Sequence, residues 1–553
     1  MSFRALLLLT CAAATPLAAQ ARARPRPRPR PAPAAAAADT GPALPRAVRQ
    51  RVESWYRTAV RRAPGAWGVA IADERGRLLW QRNADRPMIP ASTVKVFTTS
   101  FAMARLGGGF TRATRVVGVG DLDTTSGQWV GTWQLQLNGD PTLEDPHGMG
   151  PRLYDLAAQL AAQGIRVLAG PMLLATDEAT TADARFPAVW RTANLGSIYA
   201  PLIGPVTVHE NIVQVWVMPG RRVGARPRVS QVEPFGIDAL IVNEAVTRNS
   251  RRSRLRLTPL RDGRMALRGY IGNRAGMRQV KASAGDPRRV LEAAWEHVLA
   301  QAGIRWERES PAMVPPASGA RELVLAEVSS PSLDSVAAMV NRRSLNIGAE
   351  LLLRWAAGWG APAESLQAHV ARVVGTDRGL RLVDGSGLSH DDRATPRLMV
   401  SYLARVPQER GAESFPFLLP ANGAGTLARL AGGLPAPGVV RAKTGTLSGV
   451  STLTGYLGRR EGTYVVSLMY NGGRTRRARA AQWQFFRVLG GDGVVIPPDT
   501  DFGPEVVADT LETAADSAAA TDPATAAPAP LPADTTGPAA DTVAPPPVGD
   551  QVR

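Results

Sequence analysis

Lysine occurs three times in 553 residues, at Lys95, Lys281 and Lys443, while 62 arginines supply the other basic charges. Wherever a plain positive charge serves, this chain uses Arg. A position that keeps Lys is a candidate for what Arg cannot supply, a compact amine able to lose its proton. Two of the three lysines stand beside hydroxyls in short patterns. Ser92-Thr93-Val94-Lys95 follows Met88-Ile89-Pro90-Ala91 and opens an amphipathic run. With Ser92 in the first turn of a helix, Lys95 falls on the same face three positions on. The helix dipole then favours negative charge developing on an attacking oxygen. A Lys amine taken out of water has a lowered pKa and can act as a base toward that hydroxyl. The plainer alternative is a Ser cap with an exposed Lys one turn later.

Lys443-Thr444-Gly445-Thr446 closes the β-like run Gly438 to Ala442 and leads into another strand. Lys443 offers a charge for a carboxylate and Thr444 a hydroxyl. Gly445 leaves room for a ligand's backbone against an edge strand. The plainer alternative is a turn with Thr-Gly at its tip. Ser344-Leu345-Asn346 stands at the joint between two helical stretches. Alternate residues there face one cleft, Ser344 with Asn346, while Leu345 packs inward. The alternative is a pair of helix caps.

The elements that must position these residues alternate between strand and helix patterns. Gly68 to Asp73 and Leu78 to Gln81 read as a hairpin, and Ser92 to Leu106 as a helix. Trp129 to Leu137, Val167 to Ala175 and Ile212 to Met218 read as strands. Tyr154 to Gln163 and Pro287 to Ala302 read as helices, and Ser332 to Ala357 as two helical stretches. Val439 to Lys443, Val450 to Leu457 and Thr463 to Tyr470 read as sheet strands, followed by a last helix from Arg476 to Leu489.

The ends are different in kind. Arg4, the apolar run Ala5 to Leu17 and Ala19-Gln20-Ala21 form an export signal over residues 1–21. Cys11 after Leu8-Leu9-Thr10 leaves lipoprotein anchoring as the alternative. Cys11 is the only cysteine, so the exported chain has no disulfide and no Cys-containing metal site. Residues 22–45 alternate Arg and Pro and then run into Ala, as an extended linker does. Residues 498–553 are a Pro, Ala, Thr and Asp tail with ten acidic residues, too poor in large apolar side chains to fold. Residues 31–497 carry a formal charge of +21, against +18 for the whole chain. Export argues against nucleic acid as a partner and leaves a weak attraction to an anionic wall or membrane surface. No second long apolar stretch exists, which excludes a multi-span membrane protein. The five histidines are scattered without an HExxH spacing, which argues against a zinc hydrolase.

Taken together and in this order, the three patterns match the Ser-x-x-Lys, Ser-x-Asn and Lys-Thr-Gly set of penicillin-binding proteins and serine β-lactamases. The 252 residues from Ser92 to Ser344 exceed what a minimal β-lactamase needs. Residues 50–495 resemble the D-alanyl-D-alanine carboxypeptidase and endopeptidase family of class C low-molecular-mass penicillin-binding proteins (peptidase family S13). Further stretches carry the likeness: Gly139-Asp140-Pro141-Thr142-Leu143, Ser330-Pro331, Asp384-Gly385-Ser386-Gly387-Leu388-Ser389 and Gly425-Thr426-Leu427. Two departures stand out. Leu345 replaces the Asp or Asn common inside Ser-x-Asn, and His390 replaces an Arg that bears on the substrate's diamino-acid side chain, with Arg393 nearby.

The resemblance implies an α/β (α+β) fold. A β-lactamase/transpeptidase-like serine hydrolase domain, an antiparallel sheet flanked by helices, would span 46–115 and 320–497. An inserted, mostly β/αβ region at 116–319 would form one or two extra domains. It implies that Ser92 attacks the penultimate D-alanine carbonyl of a peptidoglycan stem peptide while Lys95 takes the proton. The N–H groups of Ser92 and Thr446 would meet the oxyanion. Ser344, helped by Lys443, would return a proton to the leaving amine, and Asn346 would orient the peptide. Lys443 and Thr444 would hold the terminal carboxylate, and Gly445, Thr446, Ser386, Gly387 and Leu388 complete the substrate-binding set. β-Lactams would be covalent inhibitors, and no metal or organic cofactor is required. The rival readings are a serine β-lactamase and, from another class, a non-catalytic exported wall-binding protein.

Overall fold

The computed structural model describes residues 43–176, 184–310 and 321–496. The export signal, the linker up to residue 42 and the acidic tail lie outside the described residues. The site is organised around a five-stranded antiparallel sheet built from both ends of the chain. Its strands are β1 (Ala66–Ala72), β2 (Leu78–Arg82), β3 (Val440–Leu447), β4 (Val450–Arg459) and β5 (Gly462–Asn471). They run in the order β3-β4-β5-β1-β2, which makes β3 an edge.

Period-two alternation along β1 explains how both faces are covered. Trp67, Val69 and Ile71 join a core with α1 (Arg46–Arg62) and the C-terminal helix Thr475–Gly490. Ala70 and Ala72 point the other way, toward a core with α2 (Lys95–Leu106), α3 (Leu333–Arg343), α4 (Asn346–Ala357) and α5 (Pro396–Arg405). Trp55 of α1 illustrates the first core: its ring lies 4.8 Å from Phe485, and its Nε1 donates to the Ala481 carbonyl at 2.7 Å. Each fully buried side chain of this size contributes roughly 1.5–3 kcal/mol.

Between α2 and α3 the chain leaves the central sheet and returns beside its point of departure. Ala113–Asp123 pairs antiparallel with Leu323–Ser329, Ala113 opposite Ser329. These two belong to a six-stranded mixed sheet, and two further sheets of three and four strands follow. Helices Leu153–Ala162 and Pro287–Gln301 pack Leu156, Leu160, Trp295 and Leu299 into a separate core there. Among the described residues no helix is long and apolar enough to cross a membrane.

Three local details differ from the sequence expectations. Val167 to Ala175 is not one strand but two, Val167–Ala169 and Leu173–Ala175. The break contains Pro171, which has no N–H for a ladder. Lys443 to Thr446 lie inside the continuous strand β3, and the turn comes later, at Ser448-Gly449. Ser92 sits in a 3₁₀ turn, Ala91–Val94, and α2 proper starts at Lys95.

Candidate active site

The turn that carries Ser92 is pinned from both sides. Thr93 Oγ1 and Thr452 Oγ1 of β4 each donate to the Pro90 carbonyl at 2.7 Å. Ala91 is held at φ 50°, a left-handed conformation uncommon for a side chain with Cβ. Ser92 stays half-buried while Lys95, one helical turn on, is completely buried. The Lys95 amine lies 3.2 Å from Ser92 Oγ, 2.5 Å from Asn346 Oδ1 and 2.6 Å from the Ser386 carbonyl. Two of these three partners are carbonyl oxygens, which only accept. Asn346 Nδ2 donates to the Tyr199 carbonyl at 2.7 Å, which turns its Oδ1 toward the amine. A neutral amine has two N–H groups and one lone pair. In that form the two carbonyls would take the N–H groups and leave the lone pair for the Ser92 hydroxyl.

Burial favours that neutral form. Removal from water pulls the Lys95 pKa down from 10.5 to about 7, with Asp384, Glu350 and Asp392 opposing the fall. These carboxylates are themselves buried. Burial pushes Glu350 and Asp392 up, and the neighbouring Asp384 adds to both shifts. Glu350 Oε1 accepts the N–H groups of Gly385 and Ser386, while Arg354 pairs with its other oxygen at 2.9 Å. Asp384 accepts from the N–H groups of Ser386, Gly387 and Ser389 and from Trp190 Nε1. The loop over Lys95 is therefore wound around carboxylates.

The second amine is equally buried. Lys443 Nζ donates to Ser344 Oγ and to the Thr444 carbonyl, both at 2.8 Å. Ser344 closes α3 in a left-handed conformation, φ 56° and ψ 38°, and α4 begins two residues later at Asn346. Leu345 between them packs against buried apolar residues, as the alternation predicts. The edge of β3 can be read from its bonds. Ala442 N–H donates outward to Pro420, and Val440 exchanges bonds outward with Asn422. By strand alternation the N–H groups of Thr444 and Thr446 face the same outer edge. Gly445 lets that edge approach the nucleophile turn. A Cβ there would lie 2.8 Å from the Pro90 carbonyl and 3.1 Å from Ala91 Cβ. Three segments far apart in sequence thus meet at one cleft, with both scarce amines beside hydroxyls.

Residues 59–489 match the D-Ala-D-Ala carboxypeptidase 3 (S13) family. The chain belongs to that family. It is 27% identical over 436 residues to the D-alanyl-D-alanine carboxypeptidase of Actinomadura sp., covering 73% of this chain and 77% of the relative. It is 23% identical over 439 residues to D-alanyl-D-alanine carboxypeptidase DacB of Haemophilus influenzae, covering 75% and 88%. The crystal structure of Haemophilus influenzae penicillin binding protein 4 shares the fold, with TM-score 0.64 and 21% identity over 78% of this chain and 98% of that one. This S13 chain is a serine-type carboxypeptidase, and its mixed α/β fold with antiparallel sheets is the one the three patterns imply.

Within the family frame, the Asp384 loop sits deeper than its sequence indicates. Ser386 and Leu388 are buried, and Leu388 packs with Trp190, Ile347 and Leu351. Ser386 reaches the site through its carbonyl. Gly387, at φ 75°, lets the loop touch the nucleophile turn, since a Cβ there would fall 2.0 Å from the Ala91 carbonyl. His390 is partly exposed, and burial and nearby Arg191 hold its imidazole below the usual range. Arg393 spends one guanidinium nitrogen on the carbonyls of His390 and Asp392.

Sequence patterns do not single out Glu350, Asp392, Tyr199 or Arg479. Arg479 donates to the carbonyls of Gly445 and Thr452 and to Thr446 Oγ1, bracing β3 from the C-terminal helix. Glu350 has a visible signal, a lone acid on the otherwise apolar run Ile347 to Leu353. Arg479 has none, being one of several arginines on its helix.

Proposed function

We propose that Ser92 is the nucleophile of a D-Ala-D-Ala carboxypeptidase and DD-endopeptidase acting on peptidoglycan stem peptides. The buried Lys95 amine, 3.2 Å from Ser92 Oγ and within hydrogen-bond distance of two carbonyl oxygens that only accept, is the observation that carries this reading. Ser92 Oγ attacks the penultimate D-alanine carbonyl and its proton passes to Lys95. The N–H groups of Ser92 and Thr446 receive the oxyanion, each such donor contributing about 2.7–4 kcal/mol. The C–N bond breaks as the proton held by Lys95 is relayed through the hydroxyl of Ser344, backed by Lys443, to the departing amine, which leaves Lys95 neutral again. Water then cleaves the ester, with Lys95 again as base. Lys443 and Thr444 hold the terminal carboxylate. Asn346, the edge of β3 with Gly445, and the Ser386-Gly387-Leu388 backbone shape the groove. No step needs a metal or organic cofactor.

Burial, which brings the Lys95 pKa down to about 7 against the opposing pull of the nearby carboxylates, supports Lys95 as a tuned base rather than a structural cation. The catalytic domain is assigned to 46–115 and 320–497 and the inserted region to 116–319. The chain acts after export, in the periplasm, with β-lactams as covalent inhibitors. Its +21 core gives a weak, salt-sensitive attraction to anionic wall or membrane, and no nucleic acid is involved.

Fluorescent penicillin tests the nucleophile. The native protein is expected to be labelled covalently and Ser92→Ala not at all. Labelling of Ser92→Ala would remove Ser92 from its role. Incubation with pentapeptide and with dimeric muropeptides separates terminal D-alanine release from cross-link cleavage.

A further inference from the structure

Arg343 is the last residue of α3, immediately before Ser344, and its side chain turns away from the cleft. It enters the segment between α2 and α3 and meets two carboxylates there. Its Nη1 donates to Asp145 Oδ1 at 2.9 Å, and its Nη2 donates to Glu210 Oε1. The Asp145 side chain is fully buried, and those of Glu210 and Arg343 are 9% and 19% exposed.

Both acids are held in place independently of Arg343. Asp145 Oδ2 accepts the N–H groups of His147 and Met149. Glu210 is the middle of three consecutive left-handed residues, His209, Glu210 and Asn211, at φ 50°, 57° and 54°. One non-glycine residue in that region is uncommon, and three in a row persist only where surrounding contacts over-determine them. Those contacts are present. Asn211 bonds the Val208 N–H and the carbonyls of Leu202 and Val206, and the His209 N–H donates to Leu143. Lys281, the one lysine outside the active-site patterns, has Glu210 and Glu233 as its acidic neighbours. The strained turn and both nearby cations, Arg343 and Lys281, therefore converge on the Glu210 carboxylate.

Ser344 is itself left-handed, at a helix end where glycine is the usual residue. Its Oγ must nevertheless lie 2.8 Å from Lys443 Nζ. We propose that the Asp145–Arg343–Glu210 clamp makes Arg343 a positioning residue for Ser344, so that the segment between α2 and α3 sets the geometry of proton delivery. This rests on the reading of Ser92 as nucleophile and Ser344 as proton relay. The clamp acts on how Ser344 is held and not on substrate affinity, so its loss should lower kcat and leave KM nearly unchanged.

The test is a double-mutant cycle on the full chain, reading kcat and KM on a peptide ending in D-Ala-D-Ala and the rate of penicillin acylation. Glu210→Gln keeps the shape and removes one charge. It is expected to lower kcat about tenfold or more, with KM changed less than about threefold. In a Ser344→Ala background the same change is expected to lower kcat less than about twofold, because the group being positioned is gone. A Glu210→Gln loss that multiplies equally in both backgrounds would make the clamp merely structural and overturn the proposal. An unchanged kcat in Glu210→Gln would overturn it too. Should Glu210→Gln fail to fold, Asp145→Asn and Arg343→Lys repeat the cycle with the same criteria. Ser344→Ala at full rate would remove the relay and this proposal with it. Penicillin labelling of Ser92→Ala would instead strike the nucleophile, an outcome read separately.

Discussion

The sharpest consequence of the site is a pH profile set by Lys95. An ordinary Lys, titrating at 10.5, is neutral in about one molecule in a thousand at pH 7.5. At a pKa of about 7, the value its burial gives, about three in four are neutral. Burial thus raises the supply of base by nearly three orders of magnitude. The acylation rate should follow the neutral fraction. It should climb tenfold per pH unit below about 6, bend near 7 and flatten above, so that pH 5 lies about a hundredfold below the plateau. Glu350→Gln provides a directional check. The amide oxygen can still accept from Gly385 and Ser386. The lost negative charge no longer favours the protonated amine, so the bend should move to lower pH. Lys95→Arg, unable to lose its proton, should fall by at least about a thousandfold. The assay is rapid-quench labelling with fluorescent penicillin from pH 5 to 9. A rate flat across that range, or a bend at 9 or above, would refute the neutral-amine mechanism. An alkaline move in Glu350→Gln would refute the electrostatic part alone.

The same burial strains stability, with a sign that can be worked out. The folded amine titrates near 7 and the unfolded one near 10.5, so below pH 7 the fold carries the full cost of about 5 kcal/mol. The cost shrinks as pH rises from 7 to 10.5, so Lys95→Met should stabilise the inactive protein more at pH 6 than at pH 9.5, as read by thermal unfolding. Gly387→Ala should slow acylation at least about tenfold and lower the melting temperature. Its new Cβ meets the Ala91 carbonyl, and the left-handed backbone alone costs about 1–2 kcal/mol. Phe485→Ala, in the core beneath the sheet's far face, should cost about 3–5 kcal/mol in denaturant unfolding while leaving the low-temperature rate unchanged.

The chemistry is legible in the sequence because it is written in residue types that this chain otherwise avoids. With Arg used nearly everywhere, Lys95 and Lys443 stand out by residue type alone, and each is buried against a hydroxyl. The central sheet is legible because runs such as Val450 to Leu457 and Thr463 to Tyr470 are rich in β-branched and aromatic residues. Single-sequence patterns do not reveal how the segment between α2 and α3 reaches the site. Tyr199 contributes only a carbonyl, which any residue supplies. Trp190 finds Asp384 across 194 positions of sequence. Glu210 acts from a left-handed turn with no glycine to announce it. Arg343 is one arginine among 62. Contacts made through backbone groups, or by common residue types at long separation, leave no local signature.

Those hidden contacts explain how so unfavourable a site persists. Two completely buried amines, a left-handed Ala91 and a left-handed Ser344 each oppose folding. None could be maintained by the 3₁₀ turn or the helix joint alone, since local structure would relax toward exposed amines and ordinary dihedrals. The opposing force comes from both faces of the five-stranded sheet and from carboxylates anchored in separate elements: Glu350 on α4, Asp384 and Asp392 in one loop, Asp145 and Glu210 in the segment between α2 and α3. Each anchor sits in a different part of the chain, so the chain must complete its fold before either amine is held beside its hydroxyl. The base is thereby made only in the folded protein, where a substrate groove exists to use it.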